Sequence, residues 1–521
     1  MTNKTLKYAL CTAVLLLSGM TEAQVWSPDV SSSTYRNPII YADYSDPDVC
    51  QVGDDYYMTS SSFNSIPGLQ ILHSTDLVHW TIVDAALPYK MPLVTGYKAR
   101  FGDLVWAPSI RWHNGQFYIY YGDPDAGIFM IRGTLGHWEK PVHVKRGRGL
   151  IDPTPLWDED GRMYLVHAFA GSRAGIKSLL AVCELDSTGS EVISPDRIVF
   201  DGHENHPTCE GPKFYKRDGY YYIFTPAGGV STGWQLVLRS KNIYGPYEEK
   251  IVLAQGKSSV NGPHQGAWVE TKEANKDGIR DWFIHFQDVG VYGRIVHLQP
   301  MRWVDGWPVI GEDKDGDGCG EPVAKALKPA LPPCAGAPQE SDEFDSTTLG
   351  LQWQWAAEPN ATWYFCDANR GLLRLYSEYY NDSVPAFVDR QKKQGHDIRY
   401  PNMLLQKTPA EAFTVTTKVR FCPNKKDLGE QAGLVVSGRR SYLFRVPEDK
   451  TNEWVYLRVT FNKDALCTFY FSEDGKHWAK KDTFQAVEGQ WIGAKVGLFC
   501  TRNRQINDVG WLDVDWFRIT K

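Results

Sequence analysis

At residues 217–227 the chain reads RDGYYYIFTPA, a charged turn followed by a run rich in aromatic and β-forming residues. Asp-Gly ahead of such a run signals a tight hairpin, because the turn positions need positive φ. The unit recurs as GDDYYMTSSSF at 53–63, HNGQFYIYYG at 113–122 and EDGRMYLVHAF at 159–169. A looser fifth copy, KDGIRDWFIHF, occupies 276–286. The copies start roughly 45 to 60 residues apart, a spacing that suits four-stranded propeller blades. No long amphipathic helical period interrupts them. A sandwich of irregular hairpins is the alternative, and five copies of one unit favour the propeller. The expected fold class is therefore all-β, with a five-bladed β-propeller over residues 24–335.

Past the last copy the texture changes. Residues 313–338 are charged, then Gly- and Pro-rich, ending in KPALPPCAGAP, as expected of a linker or strap. From residue 340 the pattern is again all β, with TVTTKVRF, AGLVVSG, WVYLRVTF, KVGLFC and WLDVDWFRI, but without the earlier repeat. This predicts a two-sheet β-sandwich over 340–521.

Composition narrows the function classes. The 521 residues are 42% hydrophobic and 23% charged, with a net charge of −6 and no basic block. That argues against nucleic acid or an anionic membrane surface as a partner, since both are held by clustered Lys and Arg. The 19 Trp, 27 Tyr and 22 Phe suit stacking on sugar faces, although β proteins are rich in aromatics for packing reasons too. Lys4 and Lys7, the apolar stretch Tyr8–Leu17 and the small-residue site before Gln24 read as a signal peptide over 1–23. The apolar run is too short to span a bilayer, so export without membrane insertion is expected. Nine cysteines follow the signal, an odd number without metal-type spacing. Cys183 in LLAVCEL reads as a buried thiol, and Cys319 and Cys334 as a candidate pair.

A second regularity overlies the repeats. Asp46 lies eight residues before Asp54, Asp152 eight before Asp160 and Glu210 eight before Asp218, while Trp106 lies eight before Asn114. A proline follows each closely, as in Asp46-Pro47, Asp152-Pro153 and Glu210-Gly211-Pro212. In a propeller the innermost strands line the axis, so equal offsets predict three carboxylates at one level around a single pocket. Crowded acids must differ in pKa, and glycoside hydrolysis uses that difference: one acid donates a proton while another activates water or attacks. Acids that merely cap Asp-Pro turns are the alternative for any one of them.

The segments YSDPDVCQVGDDYYMTSSSF, PGLQILHSTDLVHW, WAPSIRWHNGQFYIYY, IDPTPLWDEDGRMYLV and CEGPKFYKRDGYYYIF together resemble glycoside hydrolase family 43. The resemblance implies an inverting five-bladed propeller enzyme, with Asp46 as general base, Asp152 as the acid that orients and tunes its partner, and Glu210 as general acid. The region from DEFDSTTLGLQWQW to WFRI resembles the jelly-roll, concanavalin-like domain of β-xylosidases in that family. This domain is expected to pack on the propeller and lend a loop to the pocket rim. By the same resemblance Arg294 in YGRIVHLQPMRW contacts sugar hydroxyls. His264 in NGPHQGAWVE is a candidate substrate-binding residue; it matches a channel histidine that in some members approaches calcium through water, although Pro263 and Gln265 depart from the usual Gly-His-Gly.

Phe63 and Trp106 are candidate pocket walls, and Trp80 and Trp138 read as blade core. Asp313, Asp315 and Asp317 imitate a calcium loop, but Ala324 stands where an EF-hand requires Glu. No metal ligand is assigned, no cofactor is required, and calcium is admitted. The expected function is an exo-acting inverting hydrolase releasing terminal pentose from xylose- or arabinose-containing oligo- or polysaccharide. β-D-Xylosidase is the first reading and α-L-arabinofuranosidase the second; a fructosyl enzyme and a non-catalytic carbohydrate-binding propeller are the rivals from other classes.

Overall fold

The computed structural model describes residues 24–89, 100–380, 398–426, 429–505 and 507–521. The expected signal peptide lies outside the described residues. Five antiparallel sheets follow one another along the chain. The first comprises Asp48–Val52, Asp55–Thr59, Gly68–Ser74 and Thr81–Leu87, and the second is built on Trp106–His113, Gln116–Asp123, Gly127–Thr134 and Val142–Arg146. The third comprises Leu150–Trp157, Met163–Phe169, Leu179–Leu185 and Arg197–Asp201. Lys213–Arg217, Tyr220–Ala227, Trp234–Ser240 and Glu248–Leu253 form the fourth. His264–Glu270, Asp281–Asp288, Arg294–Val304 and Trp307–Ile310 form the fifth.

The repeated turns do what their residues dictate. Asn114-Gly115 and Asp218-Gly219 are two-residue turns with positive φ at both positions, closing His113 against Gln116 and Arg217 against Tyr220. Apolar cores fill the wedges between neighbouring sheets. Phe117 and Ile131 meet Leu69 and Ile71 of the first sheet, while Tyr120 and Met130 meet Leu165 and Cys183 of the third. Val166 and Leu180 pack on Phe214 and Ile223, and Phe224 and Val237 on Phe283 and Met301. The last wedge joins Trp282 and Ile284 of the fifth sheet to Tyr56 and Met58 of the first, so the ring closes as a propeller. The entering chain fastens this closure, with Ile40 bridging Val296 and Thr34–Arg36 pairing with Lys325–Leu327. Trp80 is fully buried in the closing wedge, and Trp138 is half-buried against the wedge between the first two sheets.

The second domain is a sandwich of a six-stranded and a seven-stranded sheet. In Phe413–Cys422 and Trp454–Phe461 burial alternates residue by residue, the period that puts one face of a strand in the core. The sandwich sits directly on the propeller. Ile66 and Trp355 exchange backbone hydrogen bonds of 3.1 and 2.6 Å, and Asn64 Nδ2 donates to Ala356 O at 2.8 Å. Asp43 accepts from the Arg294 N–H at 3.0 Å and from the Gly493 N–H at 2.9 Å, tying a sandwich loop to the pocket side of the propeller. Cys319 and Cys334 are both free thiols, contrary to the expected pair. Their anchors explain it: Cys319 lies in the turn beyond the fifth sheet, whereas the Cys334 N–H donates to Asp76 beside the first.

Candidate active site

The site is built on a kink repeated at the entrance to the innermost strands. Asp46, Ala107, Asp152, Gly211 and Gln265 all have positive φ, between 33° and 60°. Four of them precede a proline, Pro47, Pro108, Pro153 or Pro212, and Gln265 precedes Gly266. The ladder registers shift at Trp106/Ser109, Ile151/Thr154 and His264/Gly266, as bulges that re-aim side chains do. For the non-glycine residues this backbone is strained by about 1–3 kcal/mol each, a cost that the surrounding ring must offset. At Gly211, with φ of 60°, an added Cβ would come within 2.5 Å of the Gln265 side chain, which would have to move to admit it.

This geometry corrects the sequence register. Counted from the kink, Asp46 and Asp152 occupy the kink itself, whereas Trp106 and Glu210 stand one residue before it. The equal offset of eight arose because Asp54 is the second residue of its turn and Asp218 the first. The three acids nevertheless open onto one cavity of about 260 Å³, lined also by Phe63, Trp106, Thr208, Gln265 and Arg294.

Each carboxyl has a distinct setting. Asp46 is buried, with Oδ1 accepting from Arg294 Nη1 at 3.0 Å and Oδ2 from Ser61 Oγ at 2.5 Å. Ser61 Oγ in turn accepts the Ala107 N–H at 2.7 Å and couples the first two sheets through the site. Asp152 Oδ2 accepts the Gly211 N–H at 2.7 Å, so it holds the backbone that carries Glu210. Burial first, and the Glu210 charge second, push the Asp152 carboxyl well above the usual range. Glu210 keeps 29% of its side chain open toward the cavity. Burial and then the Asp46 charge push it up to about 7, against the pull of Arg294 and Lys177. Asp152 and Glu210 therefore retain a proton between them near neutrality, while Asp46 is set as an acceptor between two donors.

His264, expected at the substrate, does not line the cavity. It is fully buried behind the wall with Nε2 3.5 Å from Glu210 Oε1, and Gln265 takes the lining place because the kink falls on it. Burial and then the Arg294 charge pull His264 down to about 3, so its ring is neutral. Around His264 stand the Phe286 ring, the Arg294 guanidinium and the Glu210 carboxyl, and its two buried ring nitrogens have no hydrogen-bond partner among the described residues. In the Asp313–Asp317 loop, Asp313 already accepts from the Gly316 and Gly318 N–H groups, and Asp317 from Cys319.

Two contributors escaped sequence reasoning. Ser61 carried a faint signal, as the middle hydroxyl of SSSF beside Phe63. Trp491 carried none. It comes from the sandwich, lines the cavity, and lies edge-on to Trp106 with ring centroids 6.1 Å apart. An added Cβ at Gly102 would come within 2.9 Å of the Trp491 ring, so the propeller leaves room for this residue. Phe63, Trp106 and Trp491 thus form one aromatic wall drawn from both domains.

Comparison with known proteins shows the family of both domains. The family model described as glycosyl hydrolases family 43 matches residues 35–308. A second model, beta xylosidase C-terminal concanavalin A-like domain, matches residues 341–446 and 441–520. A putative beta-xylosidase of Xylanibacter ruminicola is 37% identical, covering 91% of this chain and 87% of its own. A non-reducing end alpha-L-arabinofuranosidase of Bacteroides ovatus is 30% identical, covering 97% of this chain and 98% of its own. The crystal structure of a family 43 protein mutant from Bacillus licheniformis superposes with a TM-score of 0.77 at 26% identity, over 94% of this chain and 99% of that one.

Proposed function

The chain belongs to glycosyl hydrolase family 43, and we propose that it is an exported, exo-acting, inverting β-D-xylosidase. The observation that carries this is the pairing of Glu210, raised to about 7, with Asp46 held by Arg294 and Ser61 in one cavity. In the proposed reaction the terminal sugar sits against the aromatic wall and Asp46 takes a proton from a water molecule. The water oxygen bonds to the anomeric carbon as the glycosidic bond breaks, and Glu210 gives its proton to the departing oxygen. Asp152 holds Glu210 in place through Gly211. Three carboxyls and an arginine suffice for this chemistry without a resident cofactor. A cavity walled on one side by Trp491 supports action at a chain end rather than within a chain. Export rests on Lys4, Lys7 and the apolar stretch that follows.

The 37% relative named for xylose supports xyloside over arabinofuranoside as the first substrate, and the 30% relative keeps the second in view. The deciding experiment is hydrolysis of nitrophenyl β-xyloside and nitrophenyl α-arabinofuranoside, with the first-formed sugar followed by proton NMR. Faster release of xylose, appearing first as the α anomer, is expected. Initial appearance of β-xylose would exclude inversion, and release of arabinose alone would exchange the substrate.

The pH profile follows from Glu210. Its acid form is the active one, so kcat/KM should fall as pH rises through about 7. Asp152→Asn removes a neighbouring negative charge, which lets Glu210 lose its proton more readily and should move this limb to lower pH. A limb unmoved in the variant would detach Asp152 from the proton donor.

Trp491→Ala tests the loop from the sandwich. Loss of one aromatic contact of about 0.5–1.5 kcal/mol should raise KM for the aryl xyloside about two- to twelvefold. An unchanged KM would mean that the loop covers the cavity without touching the sugar.

A further inference from the structure

Although the chain carries a net charge of −6, two cations stand against the cavity-lining residues Trp106 and Thr208. The helical turn Gly171–Ala174 and the residues after it, between the second and third strands of the third sheet, carry both. Arg173 covers the Trp106 ring at 5.7 Å and pairs with Asp125 at 3.4 Å. Asp125 also accepts from Arg100 at 2.9 Å and Arg148 at 3.1 Å, so three guanidinium groups gather around it, with Asp103 on Arg100 as the second anion. Lys177 is exposed and forms no ion pair among the described residues. Its Nζ donates to Thr208 Oγ1 at 3.2 Å, and Thr208 lines the cavity two residues before Glu210. The segment is held in place, since Ser178 Oγ accepts the Thr208 N–H at 2.8 Å.

The position of these charges matters because Glu210 is the proposed proton donor. A donor faces the departing oxygen, so the sugar beyond the cleaved bond lies on the Glu210 side, where Lys177 stands against Thr208, with Arg173 of the same loop on Trp106. We infer that this cationic rim receives a carboxylate on the leaving group, and that the preferred substrate is a xylo-oligosaccharide whose second sugar carries a uronic acid branch. The inference rests on the xylosidase reading and deepens it. The Lys177 charge also draws the Glu210 carboxyl down, against burial and the Asp46 charge.

The test compares kcat/KM for xylotriose with that for xylotriose bearing a glucuronosyl branch on its middle sugar. Partly exposed charge pairs contribute about 0.2–1 kcal/mol each, so two cations predict roughly a fivefold preference for the acidic substrate at low ionic strength. The preference should shrink toward parity at about 0.5 M salt, where the screening length is only a few ångströms. Lys177→Glu should reverse the preference and Lys177→Arg should keep it. Because the readout is a ratio measured on one enzyme preparation, a general loss of activity does not affect it. A wild-type ratio at or below one, or a ratio indifferent to salt and to Lys177→Glu, overturns the inference while leaving the xylosidase reading intact. Failure of the wild type to cleave either substrate sinks both.

Discussion

Glu210→Gln is expected to slow hydrolysis of xylobiose by roughly 10² to 10⁴, the usual range for general acid catalysis. Dinitrophenyl xyloside should be cleaved with a far smaller loss. The reason lies in the departing group. A sugar alkoxide is strongly basic and needs the proton that Glu210 carries, whereas a dinitrophenolate leaves almost unaided. The structure sharpens this, because burial and the Asp46 charge are what keep the Glu210 proton in place near neutrality. Glutamine fills the same space beside Gly211 and is expected to fold normally, so the variant isolates proton donation from packing. Steady-state rates on the two substrates are the measurement. An equal loss on both would remove Glu210 from the donor role.

Asp46→Asn is expected to behave oppositely. Every substrate needs an activated water, so xylobiose and the dinitrophenyl glycoside should lose activity together, by about 10³ or more, at the upper part of the acid–base range. Asparagine cannot take the proton, and it also leaves the buried Arg294 guanidinium without its carboxylate partner at 3.0 Å. Breaking a buried pair costs about 3–5 kcal/mol of stability, so the melting temperature should fall as well. Measuring the folded fraction separates the two effects, because a misfolded fraction lowers the amount of active enzyme whereas loss of the base lowers kcat per folded molecule. A loss confined to the poor leaving group would mean that the roles of Asp46 and Glu210 are interchanged.

Much of this site was legible before any coordinates. Asp46, Asp152 and Glu210 could be found because each stands in an inner strand or at its entrance, just before an Asp-Gly-type hairpin, and hairpin chemistry is local. Phe63 and Trp106 were named as aromatic walls and Arg294 from the family resemblance, and all three reach the cavity. The misjudged residue was His264. A one-residue shift at a kink exchanges the wall for the interior, and that shift depends on where positive φ falls, at Gln265, which no composition rule foretells.

What the sequence by itself determined is the repeating part: five hairpin units, the change of texture after residue 313, and the acids carried in turn contexts. These are properties of neighbours along the chain, dictated by turn residues, strand periodicity and the need to bury one face of each sheet. What only the tertiary structure decided is the convergence. Ser61 grips Asp46 because two sheets meet at Ala107, and Gly211 ties Asp152 to Glu210 across the next junction. Trp491 reaches Trp106 from a residue almost four hundred positions away, because Asp43 binds Gly493 and holds the sandwich loop against the propeller. Such contacts join segments whose local sequences say nothing of one another. They exist because closing the ring and seating the sandwich on it place buried donors opposite buried acceptors, and each of these must be satisfied by whatever partner the packing brings near.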